Sequence, residues 1–168
     1  MELLELKNKI IECFSINDIN DLKDKLNQVV LGHEVEIYNT FCNIVNNDLS
    51  QDYLQKIFQY YLADRKEKMQ DYTPVSLAKL VCKLTNSNEI IDMCAGSGAL
   101  TIQKWNLNHD ALFKLYEFDE NVIPYLLFNL CVRNINAEVY NMDVLTQEVF
   151  HKYKIIPDEK YSKVEVIK

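Results

Sequence analysis

Residues 89–101 constrain the fold more than any other stretch, because they combine a short β-branched strand, a glycine turn and a helix start. Asp92 ends the predicted strand. The glycine turn that follows it, residues 93–98, contains two of the chain's three glycines, Gly96 and Gly98. Glycine tolerates a positive φ and lets a ligand approach the main chain, and the next helix offers free N–H groups and a positive dipole end. The pattern predicts a nucleotide-binding turn at the carboxyl end of a strand in an α/β sheet.

The spacing of this turn, Asp-x-x-x-Gly-x-Gly, narrows the class of nucleotide. It is not the Gly-x-Gly-x-x-Gly of dinucleotide-binding turns, and no Gly-Lys-Ser/Thr marks a phosphate-binding P-loop. Taken alone, the turn also fits an ordinary strand-turn-helix corner. The neighbouring segments must decide between the two interpretations.

Two more strands are predicted downstream, and both end near acidic residues. Residues 111–116 lead into Glu117, roughly 20 residues after the turn, where a carboxylate can accept both hydroxyls of a ribose. Phe118 can pack on an adenine face, and the acids after it favour a helix N-terminus. Residues 137–140 lead to Asp143, which can accept from an adenine amino group or, alternatively, be the N-cap of a following helix.

Residues 1 to 70 read as helices, because apolar side chains recur there at helical spacing. Asn17-Asp18 are predicted to break the first helix and cap the second, Gly32 to end the second helix, and Ser50 to cap the fourth. The aromatic stripes of these helices are predicted to be core rather than a binding surface. Thr73 is predicted as the N-cap of the helix before the glycine turn, with Pro74 in its first position.

Four blocks together resemble the S-adenosylmethionine (SAM) domain of the methyltransferases that modify adenine in DNA, especially the modification subunits of type I restriction systems. The order and spacing of the blocks make the resemblance specific. They are Tyr72-Thr73-Pro74 (an N-terminal cofactor block), Asp92 to Gly98 (an Asp-Pro-x-x-Gly-x-Gly loop with Met93 in place of proline), Glu117 to Glu120 (a ribose block) and Asn141-Met142-Asp143 (an adenine block).

The resemblance implies an α/β fold in which a helical segment, residues 1–70, precedes a truncated Rossmann-like SAM-dependent methyltransferase domain with a parallel sheet, residues 71–168. It implies the strand order 3-2-1, with a fourth strand, residues 161–167, beside strand 1. Asp92 would lie near the methionine amine of SAM, and Tyr72 and Thr73 near its methionine end. The cofactor-binding residues implied are Tyr72, Thr73, Pro74, Asp92, Cys94, Ala95, Gly96, Gly98, Glu117, Phe118 and Asp143.

The resemblance does not extend to the family's catalytic loop, Asp/Asn-Pro-Pro-Tyr/Phe, which holds a flipped adenine. The three prolines, at positions 74, 124 and 157, form no pair, and the given sequence ends at Lys168. No catalytic residue is therefore predicted, and methyl transfer to adenine would need a loop from elsewhere. The alternative is a non-catalytic SAM-binding regulatory or interaction module derived from a methyltransferase, and a small-molecule methyltransferase ranks below both.

Composition limits the binding partners and the cellular compartment that we expect for this chain. A net charge of −7 makes the chain a poor DNA binder on average, so DNA is expected only through a partner or a missing region. Five cysteines without a Cys-x-x-Cys pair predict a reducing cytoplasm and no metal site, and no apolar run is long enough for a membrane span.

A truncated domain with only part of the family's sheet would have an exposed edge strand. We expect the N-terminal helices, a second copy or a protein partner to cover that edge.

Overall fold

The computed structural model describes residues 2–62 and 73–167; Tyr72 and the predicted domain boundary at residues 70 and 71 lie outside them. The helices are α1 Leu3–Phe14, α2 Leu22–Gly32, α3 Val35–Ile44, α4 Tyr53–Ile57, α5 Val75–Leu84, α6 Ala99–Leu107 and α7 Ile123–Val132, with a 3-10 turn at Ile19–Asp21 and a π-helical turn at Phe58–Leu62. The strands are β1 Glu89–Asp92, β2 Leu112–Glu117, β3 Asn136–Asp143, β4 Glu148–Ile156 and β5 Lys163–Ile167. In these ranges no helix combines the length and apolar character needed to cross a membrane.

The five strands form one sheet in the order β1-β2-β3-β4-β5. β1, β2 and β3 run parallel, with Asp92 opposite Leu115 and Glu117 opposite Asn141. Helices α6 and α7 connect them, as βαβ units require. The predicted parallel strands and their 3-2-1 order are confirmed, and their carboxyl ends meet at one edge of the sheet.

The prediction that a fourth strand lies beside β1 is wrong. Residues 163–167 form β5, which pairs antiparallel with β4 at the far edge of the sheet. The sequence reasoning missed β4, which itself pairs antiparallel with β3. Residues 144–147 and 157–162 make the two connections, and a parallel neighbour needs a crossover of roughly a dozen residues or more. Such short connections can only form hairpins.

Two of the predicted helix caps are also wrong. Asp52, not Ser50, caps α4, because its Oδ1 accepts the N–H of Gln55 at 2.8 Å. Helix α5 begins at Val75, and no side chain caps it, because its N-cap position is occupied by Pro74, whose side chain carries no hydrogen-bond acceptor. Asp18 caps the 3-10 turn that leads into α2, and α2 ends at Gly32 as predicted.

Helix α7 lies at the centre of the core, and all ten of its residues are buried. One side of it packs on the sheet residues Phe113, Leu115, Ala137, Val139 and Ile155, which belong to the same buried cluster. On the other side, the Phe128 ring lies 5.1–5.3 Å from the rings of Phe14, Tyr38 and Phe41. The aromatic stripes of the N-terminal helices are therefore core, as predicted.

The opposite face of the sheet carries polar and aromatic side chains. Lys114, Glu138, Lys154 and Glu165 are cross-strand neighbours of alternating charge on β2 to β5. Cross-strand pairs of opposite charge stabilise a solvated sheet face. β1 forms the edge of the sheet, and its Ile91 side chain is 65% exposed.

Candidate functional site

The carboxyl ends of β1, β2 and β3 open onto a cleft of about 310 Å³. Four of the predicted cofactor residues line it, namely Cys94, Glu117, Phe118 and Asp143. The other lining residues are Met93, Met142, Val144 and Leu145. Polar groups thus converge on a largely apolar cleft, which is the usual character of a small-molecule site.

Met93 and Cys94, at the start of the glycine turn, form the β1 side of this cleft, and the two glycines that follow them serve different purposes. Both have positive φ values, 55° for Gly96 and 100° for Gly98. A Cβ at Gly96 would have no atom within 4 Å, whereas one at Gly98 would lie 3.1 Å from Cδ1 of Leu126. Space above Gly96 leaves its backbone accessible to a ligand, and Gly98 allows the turn to pack closely on α7. The N–H of Ala95 donates to the carbonyl of Tyr116 at 2.9 Å, which fastens the turn to β2.

The Glu117 carboxylate connects the glycine turn to the end of β2. Its Oε2 accepts the Gly96 N–H and its Oε1 accepts the Asp119 N–H, both at 2.8 Å. Burial raises the pKa of Glu117, and the backbone N–H groups of Asp119, Gly96 and Phe118 oppose that shift. The two oxygens of a carboxylate offer about four acceptor positions, so Glu117 keeps acceptor capacity for a ligand hydroxyl.

Asn141 holds the residues that carry this carboxylate. Its buried Nδ2 donates to the carbonyl oxygens of Glu117 and Phe118, both at 3.0 Å. The sequence placed Asn141 in the adenine block without a role of its own. The structure shows that it fixes the backbone at the end of β2, a contact that sequence spacing alone does not reveal.

Asp92 carries an unsatisfied buried acceptor. Its Oδ1 accepts the Cys94 N–H at 3.1 Å, whereas its Oδ2 is buried and has no hydrogen-bond partner among the described residues. Burial is the main cause that raises the Asp92 pKa. Asp92 lines an adjacent cavity of about 220 Å³ between β1, α5 and α6, and Met93 lines both this cavity and the cleft. A donor group reaching Oδ2 would remove a desolvation cost of about 1–3 kcal/mol.

Asp143 begins the turn between β3 and β4. Its Oδ1 accepts the N–H groups of Leu145 at 2.8 Å and Thr146 at 3.3 Å, and these bonds lower its pKa. The alternative that Asp143 caps a helix is wrong, because β4 follows it. It remains available on the cleft wall as an ionised acceptor.

Phe118 stands on the opposite rim and is 64% exposed. Its ring lies 6.1 Å from that of Phe150 on β4, edge to face. One face of an exposed aromatic ring beside a cleft is suited to stacking on a planar ligand.

Not every predicted residue reaches the cleft. Thr73 and Pro74 precede α5 and do not line it. Four residues of the glycine turn and the end of β1 do not line it either, namely Asp92, Ala95, Gly96 and Gly98. The contact of all these residues with a cofactor stays a prediction. The sequence reasoning also assigned no role to the apolar lining residues Met93, Val144 and Leu145. Their position in the sequence could have identified them, because each lies within two residues of the carboxyl end of β1 or β3.

Comparison with known proteins identifies the family of this fold and cleft. The family model described as N-6 DNA Methylase matches residues 28–167. A curated relative, the type I restriction enzyme MjaVII methylase subunit of Methanocaldococcus jannaschii, is 26% identical over 161 residues, which cover 84% of this chain and 28% of that protein. No solved structure matches significantly. Because the family model spans most of the chain, including all three strands around the cleft, this protein belongs to the N-6 DNA methylase family.

Proposed function

We propose that this chain is the SAM-binding part of an adenine-specific DNA methyltransferase. The observation that carries the proposal is Glu117, a half-buried carboxylate that joins the glycine turn at Gly96 and still has acceptor capacity facing the cleft. Family membership supports the methyltransferase class.

The residues around the cleft fit the parts of SAM. The ribose hydroxyls would donate to Glu117, and the adenine would lie against Phe118 with its amino group toward Asp143. The unpartnered Oδ2 of Asp92 suits the methionine ammonium group, because a cation with N–H donors would both satisfy and neutralise it. When bound, SAM supplies an electrophilic sulfonium methyl group, and the chain's own residues would orient it and shield it from water.

Methyl transfer would need a further set of residues. The 168 residues contain no Asn/Asp-Pro-Pro-Tyr/Phe sequence, and the chain spans 28% of the length of the curated relative. We propose that a loop of this type, from outside these residues, would hold the adenine with its amino nitrogen directed at the methyl group. Direct transfer would form the N–C bond as the S–C bond breaks, and would release the thioether and one amino proton. DNA contacts would also come from outside, since the net charge of −7 opposes binding to phosphates.

The edge of β1 is where we propose that a protein partner or a second copy lies. Among the described residues, β1 has a strand neighbour on one side only, and the helix next to it exposes five large apolar side chains. These are Val75, Leu77, Leu80, Val81 and Leu84 of α5. An open parallel edge beside exposed apolar residues is a common site of association. The five cysteines are all free, which supports a reducing compartment such as the cytoplasm.

Calorimetric titration of SAM into the purified chain tests the proposal, with Gly96→Val as the control. Valine at this position would be strained at a φ of 55° and would fill the space above the turn. Saturable binding that Gly96→Val abolishes is the expected result. No binding to the wild-type chain at millimolar SAM would refute it. Transfer assays on DNA then separate a methyltransferase part from a non-catalytic module.

A further inference from the structure

Four polar side chains from three segments are buried together behind the glycine turn. They are Asp52 before α4, Ser97 of the turn, Asn129 of α7 and Arg133 directly after α7, with exposed fractions of 6%, 2%, 1% and 4%. None of them lines the cleft, so a ligand there does not touch them. Buried polar groups cost folding free energy unless they are hydrogen-bonded, and this cluster is held by its internal bonds.

Ser97 is held at two atoms. Its Oγ donates to Oδ2 of Asp52 at 2.7 Å, and its carbonyl oxygen accepts from Nδ2 of Asn129 at 2.9 Å. The same Nδ2 donates to Oδ1 of Asp52 at 3.0 Å. The side chain of Ser97 and the peptide that joins it to Gly98 are therefore both fixed.

Arg133 orients the amide that holds Ser97. Its Nη1 donates to Oδ1 of Asn129 at 2.9 Å, so the amide nitrogen must face Asp52 and Ser97. Its Nε and Nη2 donate to the carbonyls of Leu49 at 2.9 Å and Gln51 at 2.8 Å. Arg133 thereby links the segment that precedes α4 to the C-terminal end of α7.

The glycine turn depends on such outside contacts. Gly96 and Gly98 flank Ser97, both at positive φ, and glycine backbones have wide conformational freedom. The Gly96 N–H must nevertheless stay directed at Oε2 of Glu117, 2.8 Å away. Ser97 is the residue between the two glycines at which the rest of the protein can hold the turn.

We propose that Asp52 is a positioning residue for this turn, through which the N-terminal helical segment shapes the SAM site. The inference rests on the proposed SAM binding. Asp52 caps α4 through the Gln55 N–H and holds Ser97 through its other oxygen, so one carboxylate couples a helix of the N-terminal segment to the cofactor turn. Loss of that carboxylate would free Ser97 and let the Gly96 N–H turn away from Glu117.

Three substitutions separate the contributions of the Ser97 hydroxyl and the Asp52 carboxylate to SAM binding. Ser97→Ala removes one hydrogen bond and should weaken SAM binding by roughly three- to tenfold. Asp52→Ala removes the whole anchor and should weaken it by more than about tenfold. Asp52→Asn can keep the geometry, because its Nδ2 can donate to the Ser97 hydroxyl, which accepts as well as donates. It should therefore bind SAM nearly as the wild type does.

Amide exchange of the glycines separates a local change in the turn from general destabilisation, which would speed exchange at the control glycine as well. The chain has only three glycines, so labelling with [15N]glycine gives three amide signals. Gly96 and Gly98 report on the turn, and Gly32 in α2 is an internal control. Ser97→Ala should speed exchange at Gly96 and Gly98 and leave Gly32 unchanged. Ile10→Val, which trims the buried core of α1, is the control for stability and should alter neither the turn signals nor the affinity.

The outcomes distinguish this inference from the proposed function. A wild-type chain that does not bind SAM refutes the proposed function, while the glycine signals still test whether Asp52 and Ser97 hold the turn. Wild-type binding with unchanged affinity and unchanged Gly96 and Gly98 exchange in Ser97→Ala overturns the positioning role. So does Ile10→Val if it alters the turn to the same extent. Since Asp52→Ala can fail to fold, Ser97→Ala is the decisive variant.

Discussion

Oε2 of Glu117 lies 2.8 Å from the backbone nitrogen of Gly96, so a side-chain hydrogen bond joins the end of β2 to the turn after β1. The two residues are separated by 21 positions in the chain. Because the strands that carry them are adjacent and parallel, their ends meet at the cleft. This contact makes Glu117 both a support for the turn and a candidate ligand for a ribose.

Glu117→Ala should weaken SAM binding by about 1.5–3 kcal/mol, the range for hydrogen bonds to a charged group. The substitution removes the ribose acceptor and the partner of the Gly96 N–H together. Calorimetric titration measures the change. Glu165→Ala, which removes an exposed carboxylate on β5 at the far side of the sheet, should leave the affinity unchanged. Equal affinity of Glu117→Ala and the wild type would remove Glu117 from the site.

SAM affinity should fall on acidification. The fall should begin at a higher pH than it would if Glu117 had the ordinary pKa of a glutamate. Burial raises the pKa of Glu117 above its usual 4.5, and the ribose contact needs the ionised form. The pH dependence of folding stability has the opposite sign to that of SAM affinity. A raised pKa means that the folded state takes up this proton more readily than the unfolded chain does. The contribution of Glu117 to stability is thus present at low pH and is lost as the pH rises through the folded pKa.

Titrations of SAM between about pH 5 and pH 8 measure this dependence. Glu117→Gln, which cannot ionise, should bind weakly with a flatter pH profile. A residual slope in that variant would be assigned to Asp92, whose pKa burial also raises. An identical pH profile in the wild type and Glu117→Gln would contradict the prediction.

Phe118→Ala should reduce SAM affinity by about 1 kcal/mol, because an aromatic face beside the adenine would be lost. Phe118→Tyr keeps the ring and should retain the affinity. Phe150→Ala is a useful comparison, since Phe150 touches Phe118 but does not line the cleft. A larger loss from Phe150→Ala than from Phe118→Ala would show that stacking occurs elsewhere.

Gly98→Ala and Gly32→Ala should change stability in opposite directions. At Gly98 the added Cβ meets Leu126 at 3.1 Å and the φ of 100° is strained for alanine, which should cost about 1–3 kcal/mol. At Gly32 the nearest atom is the flexible side chain of Glu34 at 3.7 Å, and φ is not positive. There alanine should stabilise by about 0.4–1 kcal/mol. Urea unfolding of both variants measures the two changes, and destabilisation by Gly32→Ala would show that the α2 terminus is not ordinary helix.

Local patterns were sufficient for the parallel half of the fold. Apolar strands alternate with helical stretches between residues 89 and 143, and βαβ units can close in only one topology. The glycine turn and Glu117 were found for the same reason, since the carboxyl ends of adjacent parallel strands must meet. The cap residues were less certain, because Ser50 and Asp52 are equally good caps in sequence, and only burial beside Ser97 selects Asp52.

The sequence by itself determined the helices, the first three strands and the residues at their ends, because these depend on periodicity and turn chemistry over short distances. The position of β5 depended on hairpin connections that the helix-alternation pattern did not reveal. Contacts across the fold were decided only by the tertiary structure. Asp52 meets Ser97 from 45 positions away and Asn129 from 77, and such pairs form only because the shared core around α7 brings the helical segment against the glycine turn.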